Sequence, residues 1–200
     1  MAIVECMKIY EGSILARLGL DYKGLNWGEL GNQDYNGTPA KKIYIGLGVI
    51  HTSIDLNGQH GALILDLSQP ITCKFNFDVL TNYGTTEHVT DQYECFRNIH
   101  NMVRKGGVII HGVPKNGSWP GHGRYYFEEI FFRDLAALCN YNIIEIKTWD
   151  SGFYLFPRNL IGTVFVKAED NKFIDKECFD SIKGILDSGN KTNTQNYTMK

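Results

Sequence analysis

Residues 77–114 read FDVLTNYGTTEHVTDQYECFRNIHNMVRKGGVIIHGVP. Phe77 to Asn82 is apolar enough for a buried strand. It runs into a loop holding Asn82, Tyr83, Thr85, Thr86, Glu87 and His88. Asp91 to Arg104 has helical periodicity, and Gly106-Gly107 turns the chain into a second apolar strand, Val108 to Val113. Two strands joined through a helix are parallel, with a right-handed crossover. Open sheets built this way bind ligands at the carboxyl ends of their strands. The polar cluster at 82–88 sits at such an end, so one segment carries both the fold class and the site.

Outward from this unit the alternation continues. Glu5 to Leu18 reads as a short amphipathic helix, within a lead-in of residues 1–23. Gly24 to Gly31 is a strand candidate, and Thr38-Pro39 opens a helix to about Gly46, with Thr38 as N-cap and Pro39 at the first helical position. Val49 to Asp55 and Ala62 to Leu67 read as strands on either side of an Asn57-Gly58 turn. After the Gly/Pro/Trp-rich loop 115–126, Phe127 to Leu138 is an apolar helix stopped by Asn140. Tyr141 to Trp149 and Ile161 to Lys167 are strands, and Cys178 to Leu186 is a short helix. No helix fits between Trp149 and Ile161, so the last two strands should be antiparallel neighbours. The expected architecture is α/β: a three-layer sandwich on a mostly parallel seven-stranded sheet with one antiparallel strand near the C-terminus. The main domain spans 24–188, and 189–200 is a polar, disordered tail.

Bulk properties narrow the function. A length of 200 residues suits one domain with a sizeable core. The net charge of −2 and the lack of any basic block argue against a nucleic-acid partner. No apolar run is long enough to span a bilayer, and the first residues carry early charges unlike a signal peptide. The cysteines at 6, 73, 95, 139 and 178 form no CxxC pair and read as reduced thiols, which points to a cytoplasmic protein.

The hydrophobic-Asp strand (Phe77-Asp78), the Glu87-His88-Val89 tripeptide, the helix and the Gly106-Gly107 turn together resemble the class I S-adenosylmethionine-dependent methyltransferases, a Rossmann-like superfamily. The resemblance extends over about residues 24–168. It implies that Glu29-Leu30-Gly31-Asn32-Gln33 is the first-strand motif under the methionine end of the methyl donor, and that Asp55 binds the ribose hydroxyls. Asp55 follows Gly31 by about 20 residues, the spacing of a ribose-binding carboxylate. Asp66 and Leu67 would lie beside the adenine. Asn82, Tyr83, Thr85 and Glu87 would complete the donor pocket. Two departures stand out. Gly31 is followed by Asn32 and Gln33 where the family has further glycines, and only about seven residues separate Asp55 from Ala62, too few for the usual helix.

The resemblance implies S-adenosyl-L-methionine as cofactor and a methyl transfer to an oxygen or nitrogen of a small molecule, such as a sugar or other metabolite. A neutral imidazole can take the acceptor's proton at pH 7, and His88, His111 and His122 are the candidates. Trp119, Tyr125, Tyr126 and Phe127 would wall the acceptor, and Arg124 would hold an anionic one. No Asp-Pro-Pro-Tyr tetrapeptide is present, which disfavours a nucleic-acid base amine. The degenerate glycine motif leaves a second reading: a non-catalytic binding or assembly module with a decayed donor site. Histidines with a glutamate can also hold zinc or ferrous iron. The spacing of Glu87, His88, His111 and His122 matches no compact motif such as HExxH, so no metal is expected. The oligomeric state has no signature in the sequence.

Overall fold

The computed structural model describes residues 5–150 and 159–191. In chain order the elements are α1 (Glu5–Arg17), β1 (Asn26–Leu30), β2 (Asp34–Tyr35), β3 (Thr38–Pro39), α2 (Ala40–Gly46), β4 (Ile50–Ile54), β5 (Phe77–Tyr83), α3 (Gln92–Met102), β6 (Val103–Pro114), β7 (Tyr125–Phe127), α4 (Glu129–Leu138), β8 (Tyr141–Asp150), β9 (Asn159–Lys167), α5 (Lys176–Ser181) and β10 (Ile185–Asp187). The main sheet has the order β4-β1-β5-β6-β9-β8. β1 is parallel to β4 and β5, and β5 to β6. β9 alone runs the other way, antiparallel to both β6 and β8. The expected unit β5-α3-β6 is therefore the centre of the molecule.

The apolar strands alternate between two cores, as side chains of period 2 must. Leu80, Ile109, Val113 and Phe165 face α3 and α4, where Phe96, Ile99, Phe131, Phe132 and Leu135 cover them. Val79, Val108, Ile110 and Val164 face α1 and α2, meeting Met7, Tyr10, Ile14, Leu15 and Tyr44. Helices thus cover both faces of the sheet, which makes the three layers. On α1 the residues 7, 10, 11, 14 and 15 all lie inward, the spacing of one helix face. Among them is Glu11, wholly buried. Its Oε1 accepts from Lys8 Nζ (2.8 Å) and Tyr22 Oη (2.8 Å), and its Oε2 from Tyr44 Oη (2.6 Å) and Tyr83 Oη (3.0 Å).

Several expectations are corrected. Among the described residues the main sheet has six strands, not seven. Ala62–Leu67 is no strand; one bridge, Ile54 to Leu63, is all that forms there. A parallel neighbour needs a crossover of a dozen residues or more, and the chain from Asp55 to Ala62 is too short for one. Leu63 and Ile64 consequently stay exposed. Thr38-Pro39 pairs with Asp34-Tyr35 instead of opening the helix, and Pro39, which caps nothing with a side chain, is the N-cap of α2. Gly106-Gly107 does not precede the second strand but kinks it, since β6 already starts at Val103. A Cβ on Gly107 would lie 2.9 Å from the backbone oxygens of Phe77 and Arg104, so only glycine lets β5 and β6 close there. The last expected helix is cut at Ser181. Gly184, at φ 97°, turns the chain so that β10 pairs antiparallel with β7. The expected tail falls largely on residues 192–200, outside the described part. No helix among the described residues is long and apolar enough to cross a membrane.

Candidate functional site

A cleft of about 380 Å³ opens at the carboxyl ends of β1, β4 and β5. That volume falls in the range of small-molecule sites. Its walls are the turn after β1 (Gly31, Asn32, Gln33), the turn after β4 (Ile54 to Asn57), the segment Leu65 to Leu67, and the start of the loop after β5 (Gly84, Thr85, His88, Val89), with His122 reaching in from the loop before β7. Of the residues expected from sequence, Gly31, Asn32, Asp55, Asp66, Leu67, Thr85, His88 and His122 line it together.

Each wall is fixed by its own local chemistry. Gly31 donates its N–H to Ile54 O (2.8 Å) and adopts φ 77°. A Cβ there would fall 2.5 Å from Thr85 Oγ1 and 2.6 Å from Gln33 Nε2, so the first glycine of the motif is required by conformation and by space. Asp55 joins two turns: Oδ2 accepts from the Asn32 N–H (2.7 Å) and Oδ1 from the Asn57 N–H (3.0 Å). A carboxylate has about four acceptor sites, so two remain for a ligand. Asp66 accepts from both the N–H and the hydroxyl of Ser68 (2.9 and 2.7 Å), which turns the chain. Asn98 of α3 then donates to Leu67 O (3.0 Å) and Gln69 O (2.8 Å) and holds the segment against the cleft. Thr85 Oγ1 donates to Leu30 O (2.8 Å), tying the β5 loop to β1.

The remaining expected residues do not line the cleft. Asn82 is buried beneath it. Its Oδ1 accepts the N–H groups of Thr85 and Thr86 (3.2 Å each), and its amide bonds Thr86 Oγ1 and His111 Nδ1 (2.9 Å each). His111 is wholly within the core among Phe96, Phe132 and Phe165, and burial pushes its pKa down to about 3. Tyr83 points to the opposite face, toward Glu11. Glu29 lies behind the cleft, 3.2 Å from His51 Nε2, with both side chains buried. Burial holds the Glu29 carboxyl well above its ordinary range and pushes His51 down to about 4, so desolvation disfavours the charged form of both. Of the other residues considered, Arg124 pairs bidentately with Asp187, and Tyr125 donates to Thr90 O (2.9 Å).

Glu87, without exposed surface, lies behind His88 and His122 of the cleft wall. Its Oε1 stands 3.3 Å from His122 Nε2 and 3.6 Å from His88 Nε2. Burial lowers the His88 pKa, with Glu87 opposing, so the ring is neutral at pH 7. The site residues expected from sequence left out Gln33, Asn57, Leu65 and Val89 in the cleft, and Asn98, Glu11 and His51 outside its lining. Gln33 and Val89 belong to the two motifs and Asn57 to the turn that the sequence showed; Asn98 had no signal, since a helical asparagine shows nothing of the carbonyls it will meet.

No family model and no curated protein matches the chain. Solved structures do. The 1,6-didemethyltoxoflavin-N1-methyltransferase of Burkholderia thailandensis, solved with S-adenosylhomocysteine, aligns with TM-score 0.60 and 14% identity over 83% of this chain and 80% of its own. The N-methyltransferase NodS of Bradyrhizobium japonicum aligns with TM-score 0.55 and 16% identity over 82% and 98%. An S-adenosylmethionine-dependent methyltransferase of Mesorhizobium loti gives 0.52 and 14% over 78% and 97%. The strand order, the lone reversed strand and these alignments together show that the chain has the fold of the class I S-adenosylmethionine-dependent methyltransferases.

Proposed function

We propose that this protein is an S-adenosylmethionine-dependent methyltransferase acting on an oxygen or nitrogen of a small molecule, such as a sugar or other metabolite. The observation that carries the reading is the cleft in which Asp55, with two free acceptor sites, stands across from the Cβ-free Gly31. Asp55 would hold the ribose hydroxyls, with Asp66 and Leu67 beside the adenine. Gln33, which replaces a family glycine, has a buried Oε1 without a partner among the described residues; it would accept from the donor's ammonium group. Bound there, the donor supplies an electrophilic sulfonium methyl whose bonding pair stays on sulfur as the methyl leaves.

The chain's own part is to position and to take a proton. Near-attack placement supplies most of the acceleration in such transfers. The acceptor would enter beside Glu87, His88 and His122, where His88 or His122 takes the proton that the acceptor loses. His111, sealed in the core, would position Asn82 and through it the Thr85 turn.

Titration calorimetry with S-adenosylhomocysteine tests this. Wild-type protein should bind in the micromolar range, and Asp55→Ala should weaken binding about 100-fold, the worth of two charge-assisted hydrogen bonds. A native-like denaturation curve for the variant separates loss of binding from loss of fold. If the wild-type protein takes up no nucleoside ligand, the donor site has decayed and the non-catalytic module is the better reading.

A further inference from the structure

Glu87 is buried with one oxygen, Oε2, that has no hydrogen-bond partner among the described residues. A carboxylate taken out of water needs a full set of donors or a cation. Among the described residues its Oε1 is met only by Nε2 of His122 at 3.3 Å and, more distantly, Nε2 of His88 at 3.6 Å. The ligating atoms of all three lie within 4.8 Å of one another. Around a tetrahedral ion with bonds of 2.0–2.1 Å, ligand atoms sit about 3.4 Å apart, so the two spacings to Glu87 Oε1 already match and the widest spacing of the set contracts as the ion binds.

The surroundings hold this arrangement. Gly123 packs directly on Glu87; a Cβ there would lie 2.8 Å from Glu87 Cγ. The Arg124 N–H donates to Glu87 O (3.0 Å), the His122 N–H to Trp119 O (3.1 Å), and Tyr126 Oη to Trp119 O (2.8 Å). The loop that delivers His122 is thereby pinned over the carboxylate. His88 and His122 also line the cleft, so an ion held between them would border it.

We propose that Glu87, His88 and His122 form a binding site for a divalent first-row transition ion, whose open positions hold the methyl acceptor. Two imidazoles and one carboxylate suit zinc, cobalt or ferrous iron, whereas magnesium and calcium take oxygen ligands. The role toward the acceptor rests on the methyltransferase reading; the ion site does not. With an ion in place the imidazoles are ligands and no longer bases. A coordinated acceptor hydroxyl becomes more acidic and gives its proton to water.

Cobalt(II) is the probe. Titrated into the purified full-length protein, it should bind one per chain and give visible d–d absorption. His122→Ala should weaken binding at least about 100-fold, since a direct ligand counts for more than its supporting contacts. Asp55→Ala, whose carboxylate is not one of the three ligands, should lose S-adenosylhomocysteine and keep the cobalt. Absence of stoichiometric cobalt, or cobalt affinity unchanged in both His122→Ala and His88→Ala, overturns the ion site. Displacement of cobalt by an equal concentration of magnesium overturns its assigned chemistry. Cobalt binding without any nucleoside binding leaves the ion site standing and removes the methyltransferase reading.

Discussion

Two glutamates, Glu11 and Glu87, are equally hidden from solvent, yet their surroundings differ in kind. Glu11 accepts four hydrogen bonds, two on each oxygen, from Lys8 and three tyrosines. Burial and the neighbouring carboxylate raise the pKa of Tyr44 and Tyr83, so both hydroxyls keep the protons they donate. Glu87 has one oxygen facing two imidazoles and the other facing nothing among the described residues. A saturated buried carboxylate is a structural joint: here it fastens α1 to α2 and β5. An unsaturated one beside a cleft calls for an explanation, and the proposed ion would supply it. The contrast sets a joint that holds the fold against a carboxylate whose partner has still to be found.

The sharpest way to break this contrast is Glu11→Ala. It strands three hydroxyls and an ammonium in or near the core, and should cost about 4 kcal/mol in urea denaturation, as removal of one partner from a buried charged network does. A cost below about 1 kcal/mol would mean that the network does not hold α1.

The histidines extend the comparison. His111 belongs with the core: Asn82 meets its Nδ1 and aromatic rings enclose it. Burial lowers its pKa from 6.5 to about 3, so the native ring stays neutral where the unfolded ring charges. Between those values the unfolded state binds the extra proton, and stability falls as pH falls. Its contribution is complete above about pH 6.5 and drains away toward about pH 3. His111→Gln should remove this slope. From pH 7 to pH 5 the wild type should lose about 2 kcal/mol more than the variant. Parallel stability curves for the two proteins would show that the ring titrates normally in the fold.

How much of this was visible in the sequence depends on whether a feature is local. The β5-α3-β6 unit was legible because its signals, an apolar run, a helical period and a Gly-Gly pair, lie within one stretch. Asp55, Gly31 and Asp66 were named through the family resemblance, and all three line the cleft. The third strand was misread because Ala62–Leu67 has the composition of a strand, while the length of the preceding connection decides whether it can pair. Glu11 gave no signal in the sequence. Its four partners come from positions 8, 22, 44 and 83, and only folding brings them together. The Glu87-His88-His122 grouping failed every compact motif test for the same reason: its third member arrives on a loop.

Gly31→Ala probes the ligand edge. At φ 77° an alanine costs about 1.5 kcal/mol for its conformation alone, before the overlap with Thr85 and Gln33. The expected result is a modest drop in the denaturation midpoint with loss of S-adenosylhomocysteine binding in calorimetry. Binding that survives would show that the glycine serves the turn and not the ligand.

The smallest effect is the most telling. Glu87→Gln removes the charge and keeps the shape. If Glu87 is under-satisfied in the free protein, little is lost: an amide oxygen can accept from His122 as Oε1 does, and the desolvated charge, itself a cost, is gone. Stability should change by less than about 1 kcal/mol in urea. At Glu11 the same change turns one acceptor into a donor facing hydroxyl donors, and should cost about 2–3 kcal/mol. If Glu87→Gln costs as much as Glu11→Gln, Glu87 is a joint like Glu11, and its open oxygen is no sign of a missing ligand.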